Sequence, residues 1–534
     1  MTDEGTQNQT QDEKAAKPAA VPAVAKPAAQ VAAPAKPASV PAAQAPAPTP
    51  AAPAATAAKV APKAALANPK LKQLQETIIA ANIPQLVMIS ISLALDMRSS
   101  DIHMEPEENK VRLRFRIDGV LQHIVEYPTN LHPAVVSRIK IMSNLKIDEQ
   151  RVPQDGRTEV TTKEGREMDL RVSTMPTVNG EKIVMRIQDK SRDIPDLPEL
   201  GIGGRALKNI EEALKAPNGI ILNTGPTGSG KTTTLYSALT RLNADGVNIL
   251  TIEDPVEIQI DGLNQSQVHP SIKYTFASGM RSALRQDPDI IMVGEIRDKE
   301  TGNTAIEAAL TGHLVLSTLH TNSAVETVTR ILNMGIAPYL LSSTLELVIA
   351  QRLVRKICEH CKVEDTVDAD TIDGIKLILS KANLEGEIDP ALVEGMKFYK
   401  GAGCAECNKT GYHGRVGLYE VLRVDNKIRK GIFTQMSTLD IQDIALENGM
   451  LTLEQDGILK ALQGNTSLEE VYRVSKKGEF EEAKTSKKAK ESSTEEAPAA
   501  DGAPAEVVPA EAETETTENQ NKDQNNLDTN AETS

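Results

Sequence analysis

The chain has 534 residues, a formal net charge of −15 and four cysteines. The acidic balance excludes a globally basic nucleic-acid binder, and four cysteines in two close pairs exclude a secreted disulfide scaffold. The absence of any run of 18 apolar residues excludes a membrane-spanning helix.

Length alone suggests about three or four domains, but both ends read as disordered. Residues 1–70 are mostly Ala, Pro and Lys, with seven Lys against four acids. Such a segment buries too little apolar side chain to offset its ordering entropy, so it is expected to be an extended tether. The acidic opening Met-Thr-Asp-Glu, with no apolar run after it, argues against a secretory signal. The expectation is a soluble, cytoplasmic chain.

A small α+β domain is expected over 71–195. Ile83–Met97 has helical apolar spacing, with Leu86, Ile89, Leu93 and Met97 on one face. Lys110–Ile117 alternates with period two, Asp118-Gly119 follows, and Val120–Ile124 returns as a hairpin. Ala134–Leu145 reads as a second helix. Strands follow around Val172 and over Lys182–Ile187, with Asn179-Gly180 at the turn. Asp196–Gly204 reads as a linker.

From 205 to 484 short apolar strands at Ile220–Asn223, Asn248–Ile252, Ile290–Val293 and Leu314–Leu319 alternate with helical stretches. That alternation predicts a parallel sheet covered by helices. Between the first strand and the first helix lies Gly225-Pro226-Thr227-Gly228-Ser229-Gly230-Lys231-Thr232, which fits G-x-x-x-x-G-K-[ST], with Thr233 next. Backbone N–H groups and the helix N-terminus can cradle phosphates there. Lys231 is expected to reach the β- and γ-phosphates of ATP, and Thr232 to place its hydroxyl on Mg²⁺. Glu295 ends the strand Ile290–Val293 and is the candidate to orient and deprotonate the attacking water. Gly294 stands before it, so support for the metal must come from elsewhere. Glu253 ends another strand and can act through water. His313 and His320 flank one strand, and His320 is the candidate γ-phosphate sensor.

Cys358-Glu-His-Cys361 and Cys404-Ala-Glu-Cys407 are two C-x₂-C knuckles. Four thiolates make a closed, structural Zn²⁺ site, expected within a knuckle region at about 356–418. Beyond 485 the chain is rich in Glu, Asp, Ala, Thr and Asn, and an acidic disordered tail is expected over 485–534.

Together with Ser100–Pro106, Arg114–Leu121, Val152–Arg157, Thr251–Glu257, Leu284–Asp289, Val293–Asp298 and Thr311–Asn322, these motifs resemble the secretion ATPase superfamily. The likeness is to the ATPases of type IV pilus assembly and type II secretion and covers about 71–476. The resemblance implies a RecA-like P-loop ATPase domain behind a small PAS-like domain, and a homo-hexamer. It implies a motor that drives an inner-membrane platform protein, held at the inner face of the cytoplasmic membrane through its partners. It also implies that Arg171 and Arg186, from the smaller domain, meet the phosphates and couple closure to hydrolysis. Pilus retraction ATPases of this kind lack the zinc knuckle, so its presence favours assembly. Two other classes remain: a nucleotide-gated scaffold with little turnover, which needs neither Glu295 nor the arginines, and a RecA-like nucleic-acid motor, which the acidic composition disfavours.

Overall fold

A computed structural model describes residues 69–162, 165–189 and 193–475. The tether expected over 1–70 lies outside them except for its last two residues, which open the first helix. The acidic tail over 485–534 and residues 476–484 also lie outside them.

The first domain begins with α1 (Pro69–Ile79) and α2 (Ile83–Asp96), where Asn82 caps α2 by accepting from the Gln85 N–H. Strands β1 (Ser99–Pro106), β2 (Val111–Ile117) and β3 (Val120–Tyr127) follow, then α3 (His132–Met142), β4 (Gln154–Thr161), β5 (Glu167–Thr177) and β6 (Gly180–Asp189). The six strands form one antiparallel sheet in the order β3-β2-β1-β6-β5-β4. β2 shows why one face is wet. Val111, Leu113, Phe115 and Ile117 point into the core against α2 and α3, while Arg112, Arg114 and Arg116 alternate outward. Emptying the Phe115 position to Ala costs about 3–5 kcal/mol, because the ring is fully buried.

The segment read as a linker is docked rather than free. Leu197 is buried with the core of the second domain, and Asp196 is held by both Arg241 Nε and Nη2. The second domain runs α4 (Gly204–Leu214), β7 (Gly219–Thr224), α5 (Lys231–Leu242), β8 (Ile249–Glu253), β9 (Asn264–Gln267), α6 (Phe276–Ala283) and β10 (Ile290–Val293). It continues with α7 (Lys299–Leu310), β11 (Leu314–Leu319), α8 (Ala324–Asn333), α9 (Pro338–Thr344) and β12 (Leu345–Ile357). An excursion of β13 (Lys362–Asp365), α10 (Ala369–Leu379), α11 (Pro390–Gly395) and β14 (Phe398–Gly401) returns through β15 (Tyr412–Arg423) to α12 (Asn426–Phe433), α13 (Thr438–Glu447), α14 (Leu453–Leu462) and α15 (Leu468–Ser475).

Seven strands make the main sheet in the order β15-β12-β7-β11-β10-β8-β9, all neighbours parallel except β12 and β15. Every residue of β7, β10 and β11 is buried, as strands covered on both faces require. This is the α/β architecture expected, with a RecA-like sheet behind a smaller α+β domain. All the central parallel strands end at one edge, and the chemistry gathers there.

Candidate active site

The phosphate loop leaves β7 and enters α5. Pro226, Thr227 and Gly228 are exposed, while Ser229 and Lys231 are buried. Gly228 and Gly230 have φ of +78° and +90°, left-handed values that favour glycine. Nothing lies within 4 Å of where a Gly228 side chain would begin, so that turn of backbone faces open space. The Lys231 ammonium donates to the carbonyls of Gly225 and Pro226 and so lies folded under the loop. Burial lowers its pKa to about 8, against a smaller upward pull from Glu295. The Ser229 hydroxyl is buried without a protein partner. Donors turned inward, a cation beneath them and a helix N-terminus behind are a fit to a triphosphate.

Beside the loop is a cavity of about 100 Å³ whose lining includes Thr232, Glu253, Asp254, Glu295, Thr318 and His320. Strand register explains the meeting. β8 and β10 are parallel with Ile252 opposite Val293, so Glu253 and Gly294 come next side by side, with Glu295 just beyond. The hydroxyls of Ser317 and Thr318 donate to the carbonyls of Val293 and Gly294, which fixes the end of β11 against the end of β10. His320 Nε2 therefore lies 3.4 Å from Glu295 Oε2. The other oxygen of Glu295 is paired with Arg297. A side chain at Gly294 would begin 3.3 Å from the Phe276 ring, so any larger residue there would have to push that ring aside by a few tenths of an ångström.

The two glutamates sit in different surroundings. Glu253 is fully buried. It accepts from Tyr236 at 2.5 Å, from Thr251 at 2.5 Å and from Gln265 at 3.2 Å. Burial raises its pKa, while these hydrogen bonds oppose the rise. Both oxygens are engaged by the protein, so its carboxyl is fixed in place. Glu295 keeps 15% side-chain exposure and faces the cavity, as a water-activating base must.

His313 is at the opposite end of β11. Its Nδ1 lies 2.9 Å from the Ala308 carbonyl at the end of α7, so it finishes a helix and takes no part in the cleft.

The arginines come from the first domain by cross-strand pairing. Arg157 on β4, Arg171 on β5, Arg186 on β6 and Asp101 on β1 stand in one row across the sheet. Arg171 Nη2 donates to the Val256 carbonyl at 3.4 Å, next to the Asp254-Pro255 pair that lines the cleft. Its pKa is lowered by burial and by the neighbouring Arg157. Arg186 is not brought to the cleft in this conformation, because its cross-strand neighbour Asp101 holds its Nε at 3.0 Å. Sequence reasoning missed Arg157, Arg297, Tyr236, Thr251 and Gln265. Arg157, Thr251 and Arg297 lie within stretches that carried the resemblance but were given no role, while Tyr236 and Gln265 are single residues that only the fold brings to Glu253.

The four cysteines converge as expected. Their sulfurs all lie within 4.8 Å of one another, with Cys358–Cys404 and Cys361–Cys407 at 3.8 Å and Cys404–Cys407 at 3.7 Å. A tetrahedral Zn²⁺ with bonds of about 2.3 Å sets its sulfurs about 3.8 Å apart, so the residues fit the ion. The N–H groups of Cys404 and Gly411 both point at Cys407 Sγ at 3.2 Å. Burial pushes that thiol up, but these donors prevail and bring it down to about 7. Cys358 follows β12 directly, and Cys404 and Cys407 come just before β15. A metal held by these four thiolates would fasten the neck of the excursion between two paired strands.

The family described as "Type II/IV secretion system protein" matches residues 77–473. The chain is similar to a type IV pilus assembly ATPase, PilB, of Thermus thermophilus, with 50% identity over 374 residues. That alignment covers 70% of this chain but 41% of the relative. It is also similar to the type II secretion system protein E of Pseudomonas aeruginosa, with 45% identity over 408 residues, 76% of this chain and 78% of the relative. Among solved structures the Legionella pneumophila ATPase DotB shares the fold at TM-score 0.52 and 23% identity, over 73% of this chain and 94% of that one.

Proposed function

The chain belongs to the type II/IV secretion system protein family, and from that premise we propose that it is the ATPase motor of a type IV pilus assembly or type II secretion machine. The reaction is hydrolysis of ATP to ADP and phosphate. The observation that carries this reading is the single cleft uniting Thr232 of the phosphate loop with Glu295 and His320. A scaffold that only binds nucleotide has no use for a partly exposed carboxylate at that place.

The loop amides and Lys231 grip the phosphates. Thr232 would hold Mg²⁺, with Glu253 able to serve it through water, and the ion would neutralise charge on the phosphate oxygens. Glu295 orients the attacking water and takes its proton. Arg297 and His320 flank its carboxylate and fix where it points. His320 lies at the end of β11, where it can sense the γ-phosphate. Arg171 waits at the rim, and Arg186 joins it after leaving Asp101, which requires movement of the first domain on the second. Hydrolysis is in this way tied to closure.

The working form is a homo-hexamer, and the zinc knuckle is a structural feature of it. The motor acts at the cytoplasmic face of the inner membrane by way of a platform protein. No helix among the described residues is long and apolar enough to cross a membrane, which agrees with attachment through partners. The test compares the full chain with Glu295→Gln. The variant should bind ATP as the parent does and lose phosphate release. Near-parental turnover by the variant would remove Glu295 from this role, whereas absence of turnover in the parent would defeat the ATPase reading itself. Crosslinking in membranes should recover the platform protein, and light scattering should give six copies.

A further inference from the structure

Strand β12 carries no residue of the phosphate-loop motif, yet it lies directly under that loop. It pairs in parallel with β7, with Ile349 opposite Asn223 and Ala350 opposite Thr224. The next residue, Gln351, is 1% exposed. Its Oε1 accepts from two donors on two different elements: Asn223 Nδ2 of β7 at 3.1 Å and the Thr234 hydroxyl of α5 at 2.9 Å. Asn223 Nδ2 also donates to the Lys231 carbonyl at 3.3 Å. One amide oxygen therefore ties the strand that enters the loop to the helix that leaves it.

The same residue limits the loop at both ends. A side chain built at Gly225 would begin 2.5 Å from the Gln351 carbonyl, and one at Gly230 would begin 2.8 Å from Gln351 Nε2. The first contact is with backbone that any residue at 351 presents and the second with the end of the Gln351 side chain, so both glycines are favoured chiefly by their positive φ of 152° and 90°. The motif describes which residues touch phosphate. It says nothing of what holds the loop open.

We propose that Gln351 is a positioning residue of the nucleotide site, one that sets the separation of β7 and α5 and thereby the aim of the loop amides. It touches no nucleotide. It acts through the hydrogen bonds that Thr234 and Asn223 donate to it. The loop grips the bound nucleotide, whereas Glu295 stands beyond the end of β10, apart from Gln351. Loss of the Gln351 acceptor should therefore weaken nucleotide binding while sparing the chemical step. This inference rests on the ATPase reading, but ADP binding tests it without turnover.

The experiment uses the full-length chain as parent, Gln351→Met, Thr234→Val and the double variant. Steady-state kinetics give kcat and KM for ATP. Equilibrium titration with Mg·ADP gives Kd, and thermal midpoints are measured without nucleotide. Gln351→Met preserves side-chain length and removes the acceptor. One buried hydrogen bond left unmade corresponds to a rise of about tenfold in Kd and KM, with kcat changing much less. Thr234→Val removes the donor from the other side and should reproduce part of the rise. The double variant should be less than additive, since the bond from Thr234 to Gln351 is lost in both, Gln351→Met losing the Asn223 bond as well. A lower thermal midpoint with Kd within twofold of the parent would reduce Gln351 to a packing residue and overturn the proposal. Fully additive effects would also overturn it. Should Gln351→Met fail to fold, an unchanged Kd in Thr234→Val would overturn it alone. Loss of ATP turnover in the parent itself would instead defeat the ATPase reading and leave the ADP result standing.

Discussion

Lys231 gives the protein a pH dependence whose sign and size follow from its position. Buried under the phosphate loop, its ammonium has a pKa lowered to about 8 from the ordinary 10.5. Bound triphosphate supplies negative charge beside it and raises that value again, because the charged form gains a partner. ATP binding is then linked to protonation of Lys231. The affinity is fully present below pH 8, where the lysine is already charged. It falls as pH rises through 8, because binding must first restore the proton. The loss approaches tenfold per pH unit, so pH 9 weakens binding about tenfold relative to pH 7. The unliganded protein runs the other way. The folded chain gives up this proton near 8 and the unfolded chain near 10.5, so this group's contribution favours the fold increasingly across that window. Fluorescence titration with a labelled ATP analogue at constant ionic strength, from pH 6.5 to 9.5, measures the first effect. Lys231→Arg supplies the comparison, since a guanidinium keeps its charge throughout. Constant affinity of the parent across that range would show that Lys231 is fully charged in the free site and would refute the argument from burial.

Three further outcomes are expected. Metal analysis should find one Zn²⁺ per chain, and Cys404→Ser should abolish it and loosen the neck between β12 and β15; a metal-free preparation of full activity and parental thermal midpoint would contradict this. Arg171→Ala and Arg186→Ala should each lower kcat more than they raise nucleotide Kd, by less than the roughly 10³–10⁵-fold of a sole arginine donor, and the double variant should be less than additive; unchanged turnover in both single variants would leave them as surface residues. Glu470, fully buried, accepts from Arg473 and Arg355; burial alone pushes its carboxyl up, but these bonds bring it down to about 2 from 4.5. Its contribution to stability, about 3 kcal/mol, is present above pH 4.5 and is lost as pH falls through that window, and Glu470→Gln should flatten the acid limb of the melting profile.

What could be read from the sequence divides along a physical line. Strands with a regular burial pattern were legible. β2 alternates, β7 and β11 are short apolar runs ending in motif residues, and β10 closes at Glu295. Two first-domain strands were not. β4 is a polar edge strand with only Val160 buried, and β1 reads Ser-Ser-Asp-Ile-His-Met-Glu-Pro, which has neither clean alternation nor an apolar run. Both are strands because neighbours supply hydrogen-bond partners, a tertiary cause that local pattern does not encode. β12 was missed for the opposite reason. Most of its 13 residues are buried, but Glu346, Gln351, Arg352, Arg355 and Lys356 break up its apolar residues, and the short run Leu347–Ala350 does not tell a strand from a buried helix.

The candidate site shows the same division at finer scale. Residues that touch phosphate or metal must be contiguous or tightly spaced, because a loop of eight residues or a four-residue knuckle is the smallest unit that can aim several ligands at one point. That economy makes Gly225–Thr232 and the cysteine pairs visible in a bare sequence. Residues that hold those ligands in place have no such constraint. Gln351 lies 128 positions from Asn223 and 117 from Thr234, and the sheet order alone makes them neighbours. The zinc knuckle then acquires a role beyond its own loop. It fastens β12 to β15 just past Ile357, and Ile357 is six residues from Gln351 on the same strand. A metal that only closed an excursion would serve equally well anywhere along it. An ion bound at the neck would stand at the end of the strand that carries Gln351, so it and the nucleotide site, with no shared residue, would be joined by one β-strand.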